Sequence, residues 1–313
     1  MKQEKMLNPL FENIQIGIGT WQWGDRIYWG YGNEYHEEDI MLAIKACFQH
    51  GLRFFDTAEV YGMGRSETLL GSGLLQTNES VIVASKYMPF PWRLKRSNLL
   101  NAVKNSIRRL NLDCIDLYQI HYPFPPINIE TWMEGMVEAH QAGLIREIGV
   151  SNFNREQLQR AFDILVHHGI RLASIQIEYN LLNRSGEKSG LLRLCDQLGI
   201  VCIAYSPLAQ GILTGKYHPD RIPQGIRGRR YNQDLINKTQ GLINAMKKIG
   251  SDHSGKNCTQ VAINWAVNKG TIPIPGVKNA FQVEDISGAL GWDLDGDEMQ
   301  LLDHLSDQYI SGK

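Results

Sequence analysis

FFDTAEVYG, residues 54–62, ends an apolar run on Asp56 and presents Tyr61 five residues later. A carboxylate at the mouth of a buried strand is costly unless a cation meets it there. LRFFDT (52–57) is one of eight short runs rich in apolar and β-branched residues. The others are IQIGIGT (14–20), VIVASK (81–86), DLYQIH (116–121), IREIGV (145–150), LASIQI (172–177), IVCIAYS (200–206) and TIPIPG (271–276). Between most of them lie helical patterns. EEDIMLAIKACFQHG (37–51) puts Ile40, Ala43, Ile44, Cys47 and Phe48 on one face and stops at Gly51. SNLLNAVKNSIRRLN (97–111) opens on Ser97 as a cap, NREQLQRAFDILVHHG (154–169) starts with Asn154 and stops at Gly169, and NCTQVAINWAVNKG (257–270) stops at Gly270.

Strands alternating with helices of this length make βαβ units and a parallel sheet. Nearly continuous apolar strands suit burial on both faces. Eight such units predict a closed (β/α)8 TIM barrel rather than an open doubly wound sheet. No Pro/Ser/Gly-rich linker divides the chain, so residues 1–313 are expected to form one domain with long loops at the C-terminal face. The longest of them, 207–233, exceeds a routine connection and is expected to be functional.

The chain has 313 residues, a formal net charge of −1, 43% hydrophobic and 21% charged residues. Near-neutrality excludes a nucleic-acid binder that works through a basic face. Five cysteines without a CxxC pair point neither to a zinc site nor to a redox couple and read as reduced thiols. The opening MKQEKMLNPLFENIQIG lacks the apolar core of a secretory signal, and no run reaches the length of a membrane span. A cytoplasmic protein with no metal and no membrane partner is expected.

In a barrel, chemistry gathers at the C-terminal strand ends. There the sequence places Asp56 with Tyr61 beyond it, Lys86, His121, Ser151-Asn152, Gln176 and Tyr205-Ser206. Asp56, Tyr61, Lys86 and His121 form a set. Lys86 is the expected counter-ion of Asp56, and a nearby ammonium is expected to lower the phenol's pKa by roughly 1–3 units. Tyr61 then becomes a general acid for a carbonyl oxygen gathering negative charge, and His121 orients that carbonyl. GIGTWQWG (17–24) has the wrong spacing for a Rossmann phosphate loop, and GILTGK (211–216) lacks P-loop spacing.

FFDTAEVYG…SETLLG, IGVSNF, IQIEYNLLNR, AYSPLAQGILTGKY and IPIPGVKN together resemble the aldo-keto reductase superfamily. Within it they are most similar to the bacterial and plant branch that also includes the potassium-channel β subunits. The resemblance runs over nearly the whole chain. It implies a barrel with NADP(H) extended across its mouth and a small-molecule carbonyl substrate, reduced by hydride from the nicotinamide and a proton from Tyr61. Asp56, Lys86 and His121 match the supporting catalytic residues. Ser151, Asn152 and Gln176 match the carboxamide grip, and Tyr205 the ring that stacks on the nicotinamide. Ser206, Leu208, Gly211, Thr214 and Lys216 match the pyrophosphate stretch, and Gly19, Thr20 and Trp21 join the cofactor side. Gly276, Lys278, Gln282 and Asp285 match the adenosine 2′-phosphate site. The chain departs from the pattern at Gln282, where many members carry Arg, and at Ile286, where an Asn often stands. The family also implies alternatives: a cofactor-sensing regulatory subunit with slow chemistry, or a dedicated pyridoxal-type reductase. A monomer or weak homo-oligomer is expected.

Aromatic and other large apolar residues crowd the loops after strands one, three and four. Of these, Trp23, Trp29, Tyr87, Trp92 and Tyr122 are expected to line an apolar substrate pocket. RGRR (227–230) either closes over the pyrophosphate or is solvated, with at least two of its arginines expected at the surface.

Overall fold

The computed structural model describes residues 8–125, 128–223 and 225–311. The reading of the opening segment rests partly on residues 1–7, which lie outside the described residues. All eight expected strands form: β1 (Ile18–Gly19), β2 (Phe54–Asp56), β3 (Ile82–Tyr87), β4 (Ile115–Ile120), β5 (Ile145–Ser151), β6 (Leu172–Glu178), β7 (Val201–Tyr205) and β8 (Ile272–Ile274). They make one parallel sheet in chain order. The Gly17 amide donates to Pro273 O and the Gly19 amide to Pro275 O, both at 3.0 Å, which returns β8 to β1. A Cβ on Gly19 would lie 2.8 Å from Ile274 O, so this seam needs glycine. The fold is the (β/α)8 barrel.

The helices that follow the first five strands are α1 (Glu37–Gln49), α2 (Arg65–Leu74), α3 (Arg96–Leu110), α4 (Ile129–Gln141) and α5 (Arg155–His167); only α1 and α2 precede β3. Beyond β6 come α6 (Ser185–Lys188) and α7 (Leu191–Leu198). Then come α8 (Gly225–Arg230), α9 (Gln233–Asp252), α10 (Cys258–Asn268), α11 (Ala280–Ser287) and α12 (Gly296–Ser311). Asn154 and Asn257 cap α5 and α10, each accepting a backbone N–H of the first turn. Ser97 is not a cap. Helix α3 starts one residue earlier, and Asn98 Oδ1 accepts the Lys95 amide at 3.0 Å. The 207–233 stretch holds a 3-10 turn (Ala209–Thr214) and α8.

Side-chain alternation separates two layers. Phe55, Val83, Tyr118 and Val150 face the helices. Phe54, Ala84 and Leu117 face the barrel interior with Ala173, Ile203, Ile272 and Ile274. Phe11, from the 3-10 turn Pro9–Phe11, closes the bottom edge-on against Phe54 at 5.8 Å. Two residues further along the same three strands, on the same face, stand Asp56, Lys86 and Gln119, all buried. The apolar plug therefore forms the floor beneath a polar layer.

Candidate active site

Asp56 is the hub of that layer. One carboxylate oxygen pairs with the Lys86 ammonium, both side chains being almost fully buried. The other accepts from Gln176 Nε2 at 2.8 Å and Gln119 Nε2 at 3.2 Å. Lys86 also donates to Thr57 O at 2.8 Å and to the Tyr61 hydroxyl at 3.3 Å. Two amide N–H groups and an ammonium thus offset the desolvation of one buried carboxylate.

Tyr61 is delivered by a backbone that only a glycine-rich sequence tolerates. Gly62, Met63 and Gly64 follow it with φ of 56°, 59° and 88°. Beneath the turn, Glu67 accepts from Ser85 Oγ at 2.5 Å and from Arg109 Nε at 2.6 Å. A Cβ on Gly64 would sit 2.9 Å from Arg109 Cδ. The Glu67–Arg109 pair therefore holds the turn from below.

The His121 ring meets the Tyr61 ring edge-on, centroids 5.7 Å apart. Burial and the Lys86 charge hold His121 well below its ordinary value of 6.5, so the imidazole is neutral. Burial also pulls Lys86 down, opposed by Asp56. The expected lowering of the Tyr61 pKa is not met. Burial, then the Asp56 charge, hold the phenol well above 10. The phenol is thus in its acid form. Because its oxygen accepts from Lys86, its own proton is free to point into the cavity that Tyr61 lines.

That cavity, about 1040 Å³, runs from Tyr61 and His121 to Gln282 and Asp285. Gly19, Thr20, Trp21, Trp29, Ser151, Asn152, Gln176, Tyr205, Ser206, Leu208, Gly211, Thr214, Lys216, Gly276 and Lys278 all line it. Ser151 and Asn152 stand at the C-terminal end of β5 and Tyr205 at that of β7. Asn152, with φ 60°, donates to His121 O and Ser151 Oγ, each at 3.0 Å, and accepts from the Tyr205 hydroxyl at 3.0 Å. The far end is cationic, with Lys216, Lys278 and Arg227.

The aromatic expectations are met unevenly. Tyr122 lines the cavity, stacked between His121 (5.4 Å) and Phe124 (5.0 Å). Trp29 lines it too, but at the cationic end, 5.3 Å from the Arg227 guanidinium and 5.6 Å from Lys278. Trp21, expected on the cofactor side, stands 6.4 Å from the Tyr61 ring. Trp23, Tyr87 and Trp92 do not line the cavity. Trp23 is fully buried with its indole N–H on Val277 O at 2.8 Å, and Tyr87 packs in the core against Trp132 at 5.3 Å. Trp92 is 72% exposed, stacked on Phe90. These three were placed by loop proximity, which does not fix where a ring points. In RGRR, Arg227 and Arg230 line the cavity, and Arg230 pairs with Glu178 at 2.8 Å. Arg229 and Arg230 are both exposed, as expected for two of the three arginines, while Arg227 is half-buried against the cavity. Sequence reasoning also missed Gln119, although a lone amide two residues before His121 on an apolar strand was a usable signal.

The profile of the Aldo/keto reductase family matches residues 15–307. Pyridoxal reductase, chloroplastic, of Arabidopsis thaliana is 37% identical over 315 residues, covering 96% of this chain and 85% of the relative. Among solved structures, a glycerol dehydrogenase from Gluconobacter oxydans superposes with a TM-score of 0.82 at 28% identity, covering 95% of this chain and 92% of its own. An aldo-keto reductase from Klebsiella pneumoniae in complex with NADPH superposes with a TM-score of 0.73 at 28% identity, covering 93% and 90%. Among the described residues no helix is long and apolar enough to cross a membrane, and no cluster could hold a metal ion.

Proposed function

The chain belongs to the aldo/keto reductase family, and from that premise we propose that it reduces aldehydes or ketones with NADPH, Tyr61 giving the proton. One observation carries this reading. Tyr61, His121 and the Lys86–Asp56 pair meet at one end of a cavity whose other end is cationic.

The residues present suit a dinucleotide. Gly211, with φ 97°, leaves open the space in front of Lys216; a Cβ there would lie 3.6 Å from its ammonium. Gly276 also lines the cavity wall, with the Gln22 amide packed where its Cβ would be. Lys216 and Lys278 supply charge for phosphates, Lys278 taking a 2′-phosphate. Asp56 holds the Gln176 amide by its nitrogen, leaving Oε1 to accept from a carboxamide N–H beside Ser151 and Asn152. Tyr205, tethered to Asn152, offers a flat face for a ring.

When bound, the reduced nicotinamide supplies the hydride. The chain's own residues do the rest. His121, neutral, donates a hydrogen bond to the carbonyl oxygen and orients it. Tyr61 donates its proton to that oxygen. Lys86, held by Asp56, stabilises the phenolate left behind. Trp21 and Tyr122 wall the reacting end against water. Two flat walls favour a planar substrate. The Arabidopsis relative's name makes pyridoxal the first aldehyde to try.

The test is NADPH oxidation at 340 nm over aromatic aldehydes including pyridoxal, aliphatic aldehydes and sugar aldehydes. We expect multiple turnovers, fastest with planar aromatic carbonyls. Tight cofactor binding without turnover on any of them contradicts the enzyme reading and favours a regulatory subunit.

A further inference from the structure

The loop after β1 is docked on the loop after β8 residue by residue. The Gln22 amide lies over Gly276, where a Cβ would be 1.9 Å from Nε2. The Trp23 indole donates to Val277 O. Lys278 Nζ donates to Trp29 O at 2.8 Å and to Glu34 Oε2 at 3.0 Å, and sits 4.5 Å from the Tyr35 ring centroid. Glu34 is aimed by a tight turn. Gly32 N donates to Tyr35 O at 2.8 Å, Glu34 N donates to Gly30 O at 2.9 Å, and the Tyr35 hydroxyl is tied to Gln22 O. Gly30, with φ 75°, leaves room for the carboxylate; a Cβ there would meet Glu34 Cδ at 3.0 Å.

Glu34 therefore lines the cavity among Lys216, Arg227 and Lys278 at the cationic end, where Asp285 also stands, and is the carboxylate paired with Lys278. The Lys278 bond holds its carboxyl below the usual carboxylate range. An ammonium already paired with a fixed carboxylate offers less to an incoming phosphate, and a carboxylate beside that phosphate repels it.

We propose that Glu34 is a built-in competitor for Lys278 that narrows the protein's discrimination between NADP(H) and NAD(H). This rests on the dinucleotide reading above. A 2′-phosphate has to displace Glu34 from Lys278 or share the ammonium with it, whereas a 2′-hydroxyl has not. The Glu34 side chain is 64% exposed, so solvent screens the repulsion and the effect is bounded.

The experiment is titration calorimetry of the full chain with 2′,5′-ADP and with 5′-AMP, followed by NADP and NAD. Glu34→Gln keeps the shape and an acceptor for Lys278 but removes the charge. We expect it to tighten 2′,5′-ADP and NADP about tenfold and to leave 5′-AMP and NAD within about twofold. In a Lys278→Met background the same substitution is expected to tighten 2′,5′-ADP much less, because only the screened repulsion by the carboxylate is then removed. Unchanged or weaker 2′,5′-ADP binding overturns the proposal, as does equal tightening of both fragments or a full effect without Lys278. If the wild type binds neither dinucleotide, the dinucleotide reading itself falls, and the Glu34 role with it. If it binds both and Glu34→Gln is silent, only the Glu34 role falls.

Discussion

Gln119→Met is expected to slow the reaction while leaving the fold nearly as stable. The Gln119 Nε2 donates to Asp56 at 3.2 Å, and its Oε1 is buried with no partner among the described residues. A hydrogen bond to a charged group contributes about 1.5–3 kcal/mol, and this one is long. A buried unpaired carbonyl costs about 1–3 kcal/mol, which the substitution relieves. Methionine keeps the length and adds apolar burial, so the net change in stability is expected within about 1 kcal/mol. The chemistry has no such compensation. Asp56 loses one of two amide donors, its charge is felt more strongly at Lys86 and Tyr61, and the phenol becomes a weaker acid. About 1.4 kcal/mol at the carboxylate is one pKa unit; partly passed to Tyr61, it slows turnover roughly three- to tenfold and moves the alkaline limb of the rate upward. Urea unfolding and NADPH oxidation against pH read both quantities, with cofactor affinity as the control. A loss of more than about 3 kcal/mol with unchanged turnover would refute the reasoning, because the amide would then be structural.

Two further outcomes follow from the same layers. Phe11→Ala removes the plug that meets Phe54 edge-on and is expected to cost about 3–5 kcal/mol in urea unfolding; a cost under about 1 kcal/mol contradicts Phe11 as the barrel floor. His121 is held below 6.5 in the fold by burial and Lys86, so the unfolded chain takes up the proton first and stability falls as pH drops below about 6.5. A His121→Gln variant is expected to show a shallower fall in melting temperature between pH 7 and 5, and an unchanged slope contradicts a buried neutral imidazole.

The barrel was legible because each strand announces itself. β3 through β7 are apolar runs of ordinary length, and β1, β2 and β8, though only two, three and three residues long, sit inside longer apolar stretches. The convergence of Asp56, Tyr61, Lys86 and His121 was legible for a related reason: strand ends are fixed by the fold, and period-two alternation puts Asp56 and Lys86 on the inner face with Gln119. What escaped was direction on loops. Trp21 and Trp29 lie eight positions apart on one loop, yet one stands by Tyr61 and the other by Lys278. Trp23 between them turns into the core because Val277 O takes its N–H. Arg227 turns to the Trp29 ring on the loop after β1, and the exposed Arg230 reaches back to Glu178 at the end of β6. Such partners are hundreds or tens of residues away in sequence, and no local pattern names them.

Everything catalytic here depends on the Tyr61 hydroxyl being the proton source, placed by Lys86 within one pocket with His121. Tyr61→Phe removes that oxygen and little else. Single-turnover reduction of an aromatic aldehyde by this variant is expected to slow by about 10²–10⁴-fold, with the dissociation constant for NADPH within about twofold of the parent. A variant that binds NADPH and still reduces the aldehyde at close to the parent rate contradicts the account.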